Sequence, residues 1–164
     1  MTELLTKIGT KLQEKFPQAV LSSQMDYDYP VFIVAKDSIH DILAFLQKDG
    51  FTYLTTLCGL HFPDNVGEEF GLMYQLHSLE RNERIRVKIF MSEKNLEVPT
   101  ITDLWVASNW MEREAFDFFG FRFKGHPNLK RILNMEEMNY HPLRKEYPLE
   151  DGSRHDKEDK YFGR

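Results

Sequence analysis

Phe70-Gly71-Leu72-Met73-Tyr74-Gln75-Leu76-His77, followed by Arg84-Ile85-Arg86-Val87-Lys88-Ile89, decides the fold. In the first run Phe70, Leu72, Tyr74 and Leu76 alternate with Gly71, Met73, Gln75 and His77. In the second, Ile85, Val87 and Ile89 alternate with Arg84, Arg86 and Lys88. A period of two marks a strand with one face buried, here with cations on the other face. Arg81-Asn82 falls where a hairpin turn would join the two strands. Phe51 to Cys58, rich in aromatic and β-branched residues, reads as a further strand just upstream.

Working outward, Leu4, Leu5, Ile8, Leu12 and Phe16 recur at helical spacing, and Pro17 ends that pattern. Val20-Leu21 and Val31-Phe32-Ile33-Val34 are short apolar runs that predict two strands. Ser38 and Asp41 resemble a capping box opening a second helix. Ile39, Ile42, Leu43 and Leu46 form its apolar stripe, and Gly50 stands where the helix should stop. The order helix, two strands, helix, three strands predicts a two-layer α+β domain over residues 1–98, with helices on one sheet face.

The pattern changes after Pro99. Ile101 to Ala107 predicts a short helix. Asn109, with Glu112 three residues later, predicts the cap of a further helix that ends at Gly120, so that residues 99–121 form a helical segment. Residues 122–164 read as an extended, irregular tail. That tail carries a net charge of +2, whereas residues 1–121 carry −7. Phe121, Phe123, Leu129, Ile132, Leu133, Leu143 and Tyr147 favour a tail that docks on something over one left in water.

Composition limits the function. The chain has 164 residues, 41% hydrophobic, 13% aromatic and 29% charged, enough for roughly one domain with a buried core. A net charge of −5 argues against a broadly basic nucleic-acid binder. The single cysteine, Cys58, excludes an internal disulfide and any self-contained iron–sulfur or cysteine-rich zinc site. One thiol fits a reducing compartment. Met1 to Lys7 does not read as a secretory signal, and the longest uncharged run, Gly50 to Pro63, falls short of the roughly 20 apolar residues of a membrane span. Neither G-x-G-x-x-G nor a P-loop is present.

Several residues are candidates for chemistry. Glu112, Arg113, Glu114 and Asp117 crowd one helix; Glu114 and Asp117 share a face, and Arg113 is placed to pair with Asp117. With His126 these carboxylates suggest a metal site, and the chain would then be a free-standing metal-dependent enzyme using Glu114, Asp117 and His126. An ion-pair network with Arg113, Arg122 and Arg131 explains the same residues without one, and no complete ligand set is visible. His126-Pro127 and His141-Pro142 place imidazoles on extended backbone, with no zinc-ligand spacing. Arg144-Lys145 beside Tyr147-Pro148 reads as a recognition hook or as plain surface. Arg84, Arg86 and Lys88 read as a solvated basic face. Cys58, in an apolar strand with no adjacent base, reads as buried rather than reactive.

The string Glu112-Arg113-Glu114-Ala115-Phe116-Asp117-Phe118-Phe119-Gly120-Phe121, continuing through Phe123-Lys124-Gly125-His126-Pro127-Asn128-Leu129-Lys130-Arg131-Ile132-Leu133, resembles the signature of the C subunit of the proton-pumping NADH–quinone oxidoreductase, respiratory complex I. The eukaryotic counterpart is called the 30 kDa subunit. Pro142-Leu143-Arg144-Lys145-Glu146-Tyr147-Pro148-Leu149 is similar to that family's second block. Leu54-Thr55-Thr56-Leu57-Cys58-Gly59 and Arg84-Ile85-Arg86-Val87-Lys88 match more loosely. The chain departs from the family pattern at Met138 and Tyr140, where a Trp and a Gly are usual, and at His61, where an Asp is usual.

The resemblance implies a non-redox structural subunit of the peripheral arm, on the cytoplasmic side of the inner membrane. It implies neighbours in subunits B, D and I, with the tail along the D subunit. FMN, iron–sulfur clusters and quinone would belong to the complex and none to this chain, which would have no catalytic, cofactor or metal residues of its own. The partner-docking residues expected are Glu112, Arg113, Glu114, Asp117, Gly120, Gly125, His126, Pro127, Arg131, Pro142, Arg144, Lys145, Tyr147 and Pro148. In this reading the charged group holds the helix against the tail, while Arg131, Arg144 and Lys145 meet acidic or carbonyl groups of the partner. Membrane-bound hydrogenases use a similar module, so the equivalent scaffold subunit of such a complex is the alternative.

Overall fold

The computed structural model describes residues 2–147. Helix α1 (Thr2–Lys15) leads into β1 (Val20–Asp26) and β2 (Tyr29–Val34). Helix α2 (Ile39–Lys48) precedes β3 (Tyr53–His61), β4 (Phe70–Ser78) and β5 (Glu83–Met91). Short β6 (Glu97–Pro99), helix α3 (Ser108–Phe119) and β7 (Arg122–Lys124) complete the described elements. This is the expected α+β order.

Five strands form one sheet in the order β1-β2-β5-β4-β3. The three strands β3, β4 and β5 run as antiparallel neighbours, as does the β1–β2 pair. The two groups join through a parallel pairing of β2 with β5, Phe32 opposite Val87. A parallel join requires a long crossover, which α2 and the β3–β4 hairpin supply. The hairpin turn expected at Arg81-Asn82 is present, with Asn82 at φ 51°, a conformation that Asn tolerates.

The alternation of β4 and β5 does what it predicts. Phe70, Leu72, Tyr74 and Leu76 are fully buried, as are Ile85, Val87 and Ile89. Against them pack Ile8 and Leu12 of α1 and Ile39, Ile42, Leu43 and Leu46 of α2, all in one apolar cluster. The opposite face carries Arg86 and Lys88, half-buried and tied to the edge: Lys88 pairs with Asp26 at 3.4 Å, and Arg86 lies over the Tyr29 ring at 4.2 Å. Gly50 follows α2 at φ 100°, the stop that its position predicted.

Four local expectations are corrected. Ser38 makes no side-chain cap: a 3-10 turn at Lys36–Ser38 holds it at φ −101°, ψ 2°, away from the extended geometry that capping needs. Ile101 to Ala107 is a chain of turns, not a helix. There the Thr102 amide donates to Thr100 Oγ1 at 3.2 Å, and Trp105 Nε1 reaches the Thr52 carbonyl at 2.8 Å. Asn109 lies inside α3 rather than capping it, because the helix begins at Ser108. The chain after Gly120 is not irregular at once, since β7 pairs in parallel with β6, Val98 opposite Phe123.

Helix α3 packs against β3. Gly59 of β3 permits this, because a Cβ there would run into the Phe119 ring. Replacing Gly59 with valine should therefore lower stability by about 1–3 kcal/mol through overpacking, read as a lower urea midpoint. An unchanged midpoint would contradict this packing.

Candidate partner-docking site

The site is built around the C-terminal end of α3. A helix leaves its last carbonyls without intrahelical partners, and its C-terminus is electronegative. Here the tail supplies both donors and charge. The Asp117 carbonyl accepts from Arg131 Nη1 at 2.9 Å and from His141 Nδ1 at 2.9 Å. The Phe118 carbonyl accepts from the Leu143 amide at 3.2 Å, and the Phe119 carbonyl from Arg144 Nε at 2.8 Å. Gly120 ends the helix at φ 89°, and a Cβ there would meet the His141 ring at 2.8 Å and Arg144 at 2.9 Å.

The Asp117 side chain, fully buried, is the hub. Its Oδ1 accepts from Arg131 Nη1 at 2.7 Å and from Asn134 Nδ2 at 3.1 Å. Its Oδ2 accepts the consecutive amides of Ile132 at 3.0 Å, Leu133 at 2.9 Å and Asn134 at 3.0 Å. Three successive amides form a nest for an anion. Burial works against the charged carboxylate. The amides of Asn134 and Leu133, the Arg131 side chain and the Ile132 amide outweigh it and hold Asp117 well below the usual carboxylate range. Arg131 Nη2 in turn donates to the carbonyls of Met138 at 2.7 Å and Tyr140 at 2.9 Å.

The other sequence candidates take separate places. Arg113 does not pair with Asp117; it donates to the carbonyls of Lys130 and Arg131, each at 3.0 Å, and lies over the Trp110 ring. Glu112 faces away from the tail, accepting from Thr100 Oγ1 at 2.6 Å and the Ile101 amide at 2.8 Å. Burial pushes its carboxyl up, against those two hydrogen bonds. Glu114 is exposed, as is Arg122. Gly125 at φ 86° turns the chain into His126, whose Nε2 meets the Asn109 carbonyl at 3.2 Å and whose Nδ1 accepts the Asn128 amide at 3.0 Å. Pro127 is exposed and Pro142 half-buried. Tyr147 stacks near Tyr140 at 5.0 Å, and Pro148 lies outside the described residues.

Arg131 and Arg144 both bond to carbonyls of the chain's own helix, and Arg144 also pairs with Glu93 and Glu146. Lys145 uses its backbone amide, which donates to His61 Nδ1 at 2.9 Å. Glu114, Asp117 and His126 do not converge, and among the described residues no cluster of three or more His, Cys, Asp or Glu is placed to hold a metal. Cys58 is half-buried; burial, then the charge of Glu114, pushes its thiol up. The amide donors of Ile132, Leu133 and Asn134 have no sequence signal, since nothing in the sequence marks a backbone amide as a ligand.

Among its exposed charges, the pinned tail and the helix also show large apolar side chains to the outside. Leu133 and Met135 are 73% and 70% exposed, and Trp110 is 60% exposed; Leu143 is exposed too. Exposed apolar side chains on a self-capped helix and tail are the kind of surface that marks an interaction face. The chain belongs to the family of the respiratory-chain NADH dehydrogenase 30 Kd subunit, whose model matches residues 32–153.

Curated relatives agree. The chain is 37% identical over 151 residues to the C subunit of the NADH-quinone oxidoreductase of Hyphomonas neptunium, covering 90% of this chain and 74% of that one. With the C subunit from Roseiflexus castenholzii the identity is 42% over 145 residues, covering 85% and 81%. It also matches 25% of the length of the C/D subunit from Acinetobacter baylyi, at 36% identity over 85% of this chain. Among solved structures, a trypsin-resistant fragment (1-134) of Nqo5 superposes with TM-score 0.68 at 28% identity, covering 76% of this chain and 98% of that one. The archaeal membrane-bound sulfane sulfur reductase, a respiratory membrane complex, contains a chain that superposes with TM-score 0.74 at 26% identity, covering 88% and 85%.

Asp117→Ala would strand the Arg131 charge and three amides, at a cost on the order of 3–5 kcal/mol, measured by urea unfolding. The pH dependence has a fixed sign. Because the folded carboxyl is depressed, its contribution is complete above the ordinary aspartate value of 3.8 and is lost as pH falls below it. A wild-type midpoint insensitive to acid, or an unaffected variant, would contradict the hub.

Proposed function

We propose that the chain is the non-redox structural C subunit of the peripheral arm of a proton-translocating NADH–quinone oxidoreductase. It would support electron transfer from NADH through FMN and iron–sulfur clusters to quinone without carrying electrons. The observation that carries this reading is the tail clamped to α3, with Trp110, Leu133, Met135 and Leu143 turned outward, in a chain of the 30 Kd subunit family. The one cysteine does not fit a cluster, which needs several thiolates, so no redox step is assigned to this chain.

In this proposal Asp117, Arg131, His141 and Arg144 shape the tail, Gly120, Gly125 and Pro142 set its turns, and Arg113 fixes Trp110. His126, Pro127, Lys145 and Tyr147 lie on or beside the face offered to neighbours, the subunits B, D and I. Glu112 and Glu114 would act from the helix itself, Glu112 by holding the 100–102 turn. No described helix is long and apolar enough to cross a membrane; attachment would be peripheral, on the cytoplasmic side of the inner membrane. The likeness to the sulfane sulfur reductase chain favours one second reading, the equivalent scaffold of a hydrogenase-type membrane complex.

A tagged chain recovered from gently solubilised membranes separates these. Cluster-bearing subunits with NADH oxidation in the eluate support the first reading, and hydrogenase-type subunits the second. A lone chain would overturn both. Arg113→Ala should release Trp110 and the 130–131 carbonyls and cut the yield of assembled complex at least about tenfold, the equivalent of about 1.4 kcal/mol. Normal assembly of this variant would refute the role given to Arg113.

A further inference from the structure

His61 ends β3 opposite Phe70, and their rings stack at 4.2 Å. Its side chain is only 5% exposed. Nδ1 lies 2.9 Å from the Lys145 backbone nitrogen. A backbone N–H can only donate, so Nδ1 must hold a lone pair and the ring proton must sit on Nε2. A second proton can enter only at Nδ1, and it would abolish the bond to Lys145. Among the described residues, the carboxylate nearest that atom is Glu146 Oε2, at 3.9 Å.

We propose that His61 is a proton-operated latch on residues 143–147, exchanging the Lys145 amide for the Glu146 carboxylate when the ring takes its second proton. The charges that face it come from two segments: Arg144, Lys145 and Glu146 on the tail, and Glu93 after β5. Arg144 Nη1 now bridges Glu93 at 3.0 Å and Glu146 at 3.6 Å. Protonated His61 draws Glu146 from that bridge, and Arg144 retains Glu93. One neutral hydrogen bond is thus traded for a charge-assisted one, so the two states lie close in energy. The register of the tail against the β3–β4 hairpin changes, and with it the cleft of about 760 Å³ lined by Phe62, Phe119, Leu143 and Lys145.

Burial lowers the His61 pKa, and Arg144 and Lys145 add to this, while Glu146 and Glu93 oppose it; the net direction is down. The Lys145-bound state therefore holds at neutral pH. Docking of this segment is complete above the ordinary histidine value of 6.5 and weakens as pH falls below it.

The test is an NMR titration of the full ¹⁵N-labelled chain that follows the His61 ring and the Lys145 amide together. The Lys145 amide should shift with the same midpoint as the ring, below 6.5. His61→Gln, whose side-chain carbonyl accepts without titrating, should abolish the Lys145 transition. Glu146→Gln, a milder change, should move the midpoint further down by removing the acid-state partner. A Lys145 amide that stays flat while His61 titrates, a transition that persists in His61→Gln, or a midpoint unmoved in Glu146→Gln would overturn the latch.

Discussion

A buried carboxylate can stay charged only where enough donors converge on it, and Asp117 sets that constraint for α3 and the described tail after it. Five hydrogen bonds reach its two oxygens, one of them from a guanidinium. Satisfying them fixes the path of residues 131–134. That path places Arg131 over the Asp117 carbonyl and lets it hold the carbonyls of Met138 and Tyr140. From there the chain returns, and His141, Leu143 and Arg144 close the remaining carbonyls of α3. The helix and the tail are one unit because each completes the polar accounting of the other.

The comparison with Glu112 shows how donors set the net direction in which a buried carboxylate shifts. Both carboxylates are buried on the same helix, five residues apart in sequence. Glu112 receives one hydroxyl and one amide, and burial wins, pushing its pKa up. Asp117 receives a guanidinium and an amide nest, and the donors win. Glu112 accordingly ties α3 to the turn at Thr100–Ile101, whereas Asp117 ties it to the tail.

Much of this was legible in the sequence, and what escaped has physical reasons. The β4 and β5 strands were readable because one face meets the core and the other meets water. Only Val20-Leu21 signalled β1, because Ser22, Ser23 and Gln24 lie on an exposed edge strand with no apolar alternation to report. The parallel pairing of β2 and β5 is a tertiary fact without a local signal. At the site, the acidic cluster and an ion pair to Arg131 were foreseeable. The nest at 132–134 was not, because the donors are backbone amides, and His61 was visible only as a departure from the family pattern. Gly120 was readable as the end of α3, and it stands there at φ 89°.

The outward face combines the exposed apolar side chains Leu133, Met135, Leu143 and Trp110 with exposed charges such as Lys130, Glu136 and Lys145. Leu133, in the segment that closes on Asp117, is held only as firmly as that hub is closed. Hydrogen exchange of the native full chain tests this most directly, at the amides of Ile132, Leu133 and Asn134. The account predicts that these three amides are protected and open together with the last turn of α3, although they lie in a loop. Exchange of the loop amides as fast as in an unstructured chain, with α3 still protected, would contradict it.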